Sequence, residues 1–585
     1  MGNCLAKDPG EKAAKQCKPF AIETTEQYKS VRDSIVAAER KKGFQLYHDV
    51  HSTAEEKLAN TILQNLRQDD VVNIYNAQKP VEGVNHQIHH AFPGDRFLNN
   101  KHVLERTKIF RVLKHMPKGG HLHIHFNAAL EFNVLLDIAK EQVNMCVKSV
   151  YAKTLENGAL GFDLMPLTNS RNAHLAEIQF QIQPPSKPTK ANIFHDDYAR
   201  DVENEGWMNY LEFRAQWVKQ EKWKDLGLED HELDLWLKSK LHFSPAEMYS
   251  ERQTVDGAWT KFNGRTRMMK GLFNYEQAYI TYTDKLLEYF VDNNIQYAEI
   301  RPNFMANNQL FDENGIRKVE NSGIMDIIIQ RFEKFNENRC EGTRLQGLKV
   351  IYCFPRSFSP EKVAAALKEC LAFKKNPTYA PYIAGFDLVG EEGKGRPLKD
   401  FSDVFLAWRK DCTATNVDIP LLLHCGETLE TGTDTDENLI DALVLGARRI
   451  GHGYALPRHP VVLERMKENN VCIELCPISN EILGLTPRIL GHSMYTLLAH
   501  NVPCTVSSDN EAIFQSTLAH DFYQVFIGQK NMDLFGLKQL VTWSIDHAVF
   551  DKEREADRKK LRQAWAVRWK NWVQWIIKEY GSGKV

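Results

Sequence analysis

The sequence predicts an α/β fold: a (β/α)8 barrel of the TIM type, with an N-terminal helical extension and a long insertion after strand 1. Three observations predict it. From residue 297 onward, short apolar strands alternate with longer amphipathic runs such as PEKVAAALKECLAF (360–373) and DENLIDALVLGA (436–447). Seven strands follow one another there, and HLHIHF upstream makes an eighth. Stretches such as IPLLL and LKVIYCF are apolar throughout, which suits strands covered on both faces.

Along the chain, residues 1–19 read as a flexible tail with no apolar signal-peptide core. Met1-Gly2 with Cys4 partly matches an acylation signal, a myristoyl chain on Gly2 and a palmitoyl chain on Cys4. Ala6 stands where that signal wants Ser or Thr. Such acylation would give a peripheral membrane contact. Residues 20–110 form the helical extension, since Thr24 to Arg40 and Ser52 to Arg67 carry apolar residues at three- and four-residue spacing. The barrel occupies 111–139 and 271–545. Its later strands are YAEIRPNF (297–304), LKVIYCF (348–354), YIAGFDLVG (382–390), IPLLLHCGE (419–427), RRIGHGYAL (448–456), NVCIELCPIS (470–479) and NVPCTVSSD (501–509). About 170 residues separate the first strand from the second, far more than a crossover needs. Tyr275 to Asn294 reads as the crossover helix, so 140–270 is an insertion, polar and with the Pro-rich QIQPPSKPTK inside it. Residues 546–585 read as a C-terminal helix whose Trp565, Trp569 and Trp572 share one face. That stripe is expected to pack on the barrel rather than lie on a membrane.

The 585 residues are 43% hydrophobic and 26% charged, an ordinary soluble composition. A net charge of -2 and the lack of a basic stripe argue against a nucleic-acid partner. Eleven scattered cysteines make no disulfide framework. No apolar run reaches transmembrane length, and the only Asn-x-Thr match, Asn376-Pro377-Thr378, is disqualified by its proline. A reducing, cytoplasmic setting is the expectation, not secretion.

Active sites of such barrels sit at the C-terminal ends of the strands. Strand one ends in His123-Ile124-His125, and strand five in His424-Cys425-Gly426-Glu427. Strand six contains His452, and strand eight ends in Ser508-Asp509-Asn510. Imidazoles at i and i+2 on one strand face can share a metal, and His424 and Asp509 complete a set of three nitrogens and one carboxylate. That set suits Zn2+ with a position left for water. His121, one step deeper, reads as core or support. Glu427, three residues past a ligand, is placed for general acid/base work. His452 is free to orient or deprotonate the attacking water and to stabilise its charge. The reaction class is hydrolytic attack on an activated electrophile. These residues alone leave amide, ester, phosphoester and amidine open.

MPKGGHLHIH, GFDLVGEE, HCGETLETGT, RIGHGYAL, CPISN and VSSDNEAIF, in this order, resemble the adenosine deaminase superfamily. Within it they are most similar to the adenosine deaminase-related growth factor subfamily. The resemblance implies zinc ligation by His123, His125, His424 and Asp509, one ion per subunit. It implies proton transfer to purine N1 by Glu427, assistance to the attacking hydroxide by His452, and a backbone contact to purine N3 at Gly390. The implied reaction is hydrolytic deamination at C6 of adenosine, giving inosine and ammonia. Three departures stand out. Asn510 replaces an aspartate that meets purine N7, though its amide can still donate there. Glu511 replaces a proline. The insertion holds only Cys146, so the disulfide of secreted members cannot form within it, and an intracellular relative is expected.

Asn127 is placed to touch the ribose, and Trp259 and Lys261 either line the ribose end or stabilise the fold. Glu299 and Arg301 read as a structural ion pair or as support behind the site rather than as catalysts. Two other functions stay open. The substrate is instead an adenine nucleotide, AMP or ATP, met by Lys187, Lys190, Lys219, Lys222 and Lys224 in the insertion. Or the chain is a non-catalytic binding or signalling protein on the same barrel. A homodimer through the N-terminal helices is expected.

Overall fold

A computed structural model describes residues 22–581, apart from 157–158, 188, 202, 220–231, 307–308, 338 and 552–553. Gly2 and Cys4 lie outside the described residues. Eight barrel strands are present: β1 (Gly120–His125), β2 (Tyr297–Arg301), β3 (Gly347–Pro355), β4 (Ile383–Val389), β5 (Leu422–Cys425), β6 (Arg449–His452), β7 (Cys472–Leu475) and β8 (Cys504–Val506). They form two four-stranded parallel halves, β1 to β4 and β5 to β8. Parallel bridges Phe386↔Leu421 and Ile124↔Asp509 join the halves and close the ring. Almost every strand residue is buried, which explains why these strands read as continuous apolar runs.

The N-terminal segment folds as the spacing predicts. α1 (Thr25–Lys41) and α2 (Ala54–Asp70) each start with a capping box, Thr24 with Gln27 and Thr53 with Glu56. α2 buries Ala59, Ile62, Leu63 and Leu66, one helical face. α1 buries nothing. The Asp70 carboxylate accepts the amides of Lys108 and Ile109 at 2.8 and 2.9 Å. It thereby satisfies the open N-terminus of α3 (Lys108–His115).

Between β1 and β2 lies an antiparallel sheet. Its central strand, Met145–Thr154, pairs with Leu160–Leu164, Glu177–Ile182 and Met208–Asn209. α4 (Val255–Phe273) lies on the Glu177–Ile182 strand, and α5 (Glu276–Asp292) is the crossover into β2. At Gly271 the helix approaches so closely that an added Cβ would sit 1.4 Å from the Phe180 carbonyl oxygen. Only glycine fits there.

In α6 (Glu555–Tyr580) the tryptophan stripe is buried. Its indole N–H groups donate to Pro117 O, Glu56 Oε1 and Val112 O, all near 3 Å. The stripe therefore packs against α2, α3 and the entry to β1 rather than against the barrel wall alone. The nine described cysteines are free, Cys146 among them. No helix among the described residues is long and apolar enough to cross a membrane.

Candidate metal centre and the cavity above it

The barrel brings the four expected strand ends together. The donor atoms of His123, His424, His452 and Asp509 all lie within 4.8 Å of one another, and all four residues are buried. His125 Nε2 stands 3.2 Å from Asp509 Oδ1, and His123 Nε2 stands 3.5 Å from it. The mutually close group thus contains His452 where the sequence pointed to His125, and His125 joins it through Asp509. Backbone strain gathers here too. His452 and Asp509 take φ of 65° and 62°, a left-handed conformation that costs a side-chain-bearing residue energy.

Beneath the donors runs a buried charge network. His123 Nδ1 meets Glu474 Oε2 at 2.8 Å, and His424 Nδ1 meets Asp387 Oδ2 at 2.7 Å. Each imidazole therefore carries its proton on Nδ1 and turns the Nε2 lone pair to the centre. Arg301 bridges the two carboxylates, at 2.8 Å to Asp387 and 2.7 Å to Glu474. Arg449 joins Glu474 to Glu299, both at 2.5 Å. Glu299 and Arg301 are therefore not partners of each other but support behind the site, the second of the two roles the sequence allowed. Each belongs to this larger lattice, in which every charge is paired inside the barrel.

His452 has its proton placed differently. The Met494 amide donates to His492 Nδ1 at 3.0 Å, so His492 bears its hydrogen on Nε2 and donates to Asn480 Oδ1 at 3.1 Å. The Asn480 amide nitrogen then faces His452 Nδ1 at 3.1 Å and must donate to it. In neutral His452 the remaining hydrogen is on Nε2, an N–H donor rather than a lone pair.

Burial sets the protonation states. His424 is pushed down to about 4, first by burial, and His452 falls well below the usual range for the same reason. Burial and Arg301 lower His123, but Asp509 and Glu474 outweigh them and raise it. Burial would raise Asp509, but the surrounding imidazoles of His123, His125 and His452 hold it well below the carboxylate range. Glu427 is driven well above that range by burial and then by the charges of Asp509 and Glu392. The shift favours its protonated form. Its Oε1 has no hydrogen-bond partner and lies 3.3 Å from His452 Nδ1. Glu392 holds it in place by accepting the Gly426 and Glu427 amides at 3.1 and 2.7 Å.

His123 Nε2 is buried without a hydrogen bond and faces a carboxylate and other imidazoles. A cation would satisfy it. Imidazole nitrogens plus one carboxylate fit Zn2+.

Above the centre opens a cavity of about 410 Å³, lined by His125, His424, Glu427, His452, Asp509 and Asn510 at the metal end. Gly390 and Asn127 also line it. Gly390 has φ of 100°, and an added Cβ would meet nothing, so conformation rather than space calls for glycine there. Asn510 donates to Asp509 Oδ1 at 2.7 Å, where a second aspartate would repel it. Glu511 turns away from the cavity. It accepts Ser508 Oγ at 2.5 Å, the Leu518 amide at 3.1 Å and the Tyr289 hydroxyl. His121 Nε2 accepts the Ser508 amide at 3.2 Å, a supporting role as expected.

One face of α4, from Trp259 through Asn263, Thr266 and Arg267 to Lys270, walls the rest of the cavity. Trp259 is thus a lining residue, whereas Lys261 pairs with Glu247 at 3.2 Å outside it. Of the nucleotide-binding lysines suggested by the sequence, those among the described residues are elsewhere. Lys187 pairs with Glu205 at 3.3 Å, Lys190 and Lys219 are exposed away from the cavity, and Lys222 and Lys224 lie outside the described residues.

The sequence reading missed Asp387, Glu474, Arg449, Glu392 and Asn480. The first two do leave a signal: each is a lone charge inside an otherwise apolar strand. A charge there is tolerated only with a buried partner.

A closed parallel barrel with buried imidazole and carboxylate donors at its mouth defines the class of metal-dependent hydrolase barrels. The adenosine deaminase family model matches residues 245–563. Adenosine deaminase 2 of Homo sapiens is 30% identical over 485 residues, 82% of this chain and 83% of its own. Adenosine deaminase of Aedes albopictus is 27% identical over 572 residues, 96% of this chain and 91% of its own. Adenosine deaminase 2-A of Danio rerio is 28% identical over 550 residues, 93% of each chain. The chain belongs to the adenosine deaminase family.

Proposed function

We propose that this protein hydrolytically deaminates an adenine nucleoside, adenosine in the simplest case, to inosine and ammonia. The observation that carries the reading is a buried Glu427, its carboxyl shifted upward by burial, beside the His/Asp donor set at the floor of a ligand-sized cavity. His123, His125, His424 and Asp509 would hold Zn2+. His123 and His424 offer Nε2 lone pairs, whereas His452 offers an Nε2–H and stays outside the ligand set. The ion supplies water of lowered pKa at neutral pH.

The remaining chemistry belongs to the side chains. Glu427 gives its proton to the ring nitrogen beside C6, which makes that carbon electrophilic. His452 donates from Nε2 to the attacking oxygen and stabilises the charge it carries into the transition state. Asn510 and the Gly390 backbone orient the purine, and Asn127 lies toward the sugar. Addition of one water and loss of the amino group as ammonia balance the reaction. Burial of the donor set keeps bulk water from competing for these groups.

The test is turnover of adenosine, followed by the absorbance change of inosine formation and by ammonia release. Activity should vanish on chelation and return with Zn2+. A zinc-loaded protein that turns over no adenine nucleoside or nucleotide would end the proposal.

A further inference from the structure

Four cations line the cavity, and three are engaged. Arg356 donates to Leu388 O and His424 O, Lys394 pairs with Glu391 at 3.1 Å, and Arg267 gives Nε and Nη2 to Glu177 at 3.2 and 2.6 Å. Lys270 is half-buried on the cavity face of α4, and its ammonium has no hydrogen bond or ion pair with any described residue. Burial alone depresses its pKa, with no carboxylate to oppose it. A desolvated, unpaired ammonium beside a cavity is costly unless something in the cavity answers it.

The carboxylates that line the cavity cannot. Glu427 and Asp509 are at the metal end, and Glu391 is held by Lys394. The wall around Lys270 instead offers the Arg267 guanidinium and the amides of Asn263 and Asn274, which donate as well as accept, Asn263 also bonding Glu391. A bare ribose has hydroxyls that need acceptors as well as donors. A phosphate has only acceptor oxygens and a negative charge. The two cations of the wall, Lys270 and Arg267, favour the phosphate.

We infer that Lys270 forms an anion subsite and that the substrate is an adenine nucleoside bearing a phosphate on its sugar, the 5′-monophosphate being the simplest. This rests on the deaminase reading above and names the substrate class of the same site. The cavity, at about 410 Å³, lies in the range of small-molecule sites.

The test separates binding from turnover, using the zinc-loaded full chain. Calorimetry compares inosine with inosine 5′-monophosphate, and steady-state kinetics compare adenosine with AMP. The phosphate form should bind at least about tenfold tighter, less so at high salt. In Lys270→Gln the ratio of kcat/KM for AMP to that for adenosine should fall about 30-fold, chiefly through KM, the loss of one charge-assisted hydrogen bond. Lys270→Arg should recover most of it. Equal binding of the two inosine forms overturns the inference even if adenosine is deaminated. So does a Lys270→Gln protein in which both substrates lose equally. Lys270-dependent phosphate binding without any deamination would leave the subsite standing and overturn the deaminase reading instead.

Discussion

The seat of α4 on the insertion sheet offers a direct test of what the insertion does. In Gly271→Ala the new Cβ would sit 1.4 Å from Phe180 O, 2.2 Å from its carbon and 3.0 Å from its Cα. All are backbone atoms, so no side-chain rotation relieves the clash. Restoring an ordinary contact of roughly 3.4 Å requires helix and strand to part by about 2 Å. α4 carries Trp259, Asn263, Thr266, Arg267 and Lys270 on the cavity wall, so that displacement reaches the substrate. A misplacement of about 1 Å can cost on the order of 100-fold in rate. We expect kcat/KM to fall by at least that factor, about 2.7 kcal/mol of transition-state binding. Stability should drop by about 1–3 kcal/mol, the usual overpacking cost. Zinc content should not change, because the proposed ligands stand on β1 and β5 and just beyond β8. Gly264→Ala is the control: its Cβ would meet the movable end of Glu177 at 2.8 Å, and only a small effect is expected. A Gly271→Ala enzyme with parental kcat/KM and parental melting temperature would refute the idea that this contact sets the cavity wall.

Three further outcomes follow from the buried groups. Asp387→Asn removes the carboxylate that fixes the His424 tautomer, and zinc affinity, read by chelator competition, should weaken about 10- to 100-fold. Asn480→Asp replaces the donor facing His452 Nδ1 with an acceptor and moves the imidazole hydrogen to Nδ1; kcat should fall about 10³-fold or more with zinc retained. Glu481 is pushed up to about 7 by burial while accepting the Phe97 amide and the Tyr249 hydroxyl, both at 2.7 Å. The folded chain therefore holds this proton more tightly than the unfolded chain does. Its stability should decline as pH rises from about 4.5 to 7, by an amount on the order of 3 kcal/mol, and Glu481→Gln should flatten that decline in melting curves.

How much of this was legible in the sequence depended on how each feature is encoded. Strands buried on both faces announce themselves as apolar runs, and all eight were found. Their ends carried the site, because a barrel places every strand's C-terminal end at one mouth; His123, His125, His424, Glu427, His452 and Asp509 needed only that topology to be grouped. The insertion sheet did not announce itself. Its central strand, MCVKSVYAKT, is half-exposed and mixes charges with apolar residues, so neither a period of two nor a solid run stands out. The role of α4 was hidden for a different reason: it turns on Gly271 meeting Phe180, 91 residues away in sequence, and nothing local marks that glycine.

The hydrogen-bond chain that ends at His452 was hidden most deeply, and it bears most on chemistry. Four imidazoles in one mouth look interchangeable in a sequence, and distance alone even favours His452 over His125 as a donor. What distinguishes them is the group behind each ring. Glu474 and Asp387 can only accept, so His123 and His424 present lone pairs. Asn480 is oriented by His492, which the Met494 amide orients in turn, so neutral His452 presents a hydrogen. One backbone N–H, two residues removed from any catalytic group, thus separates a side chain that can hold a metal from one that can stabilise an attacking oxygen. Asn480→Asp reverses that choice without moving an atom of the barrel. A variant that kept parental kcat would mean that His452 acts through its position alone.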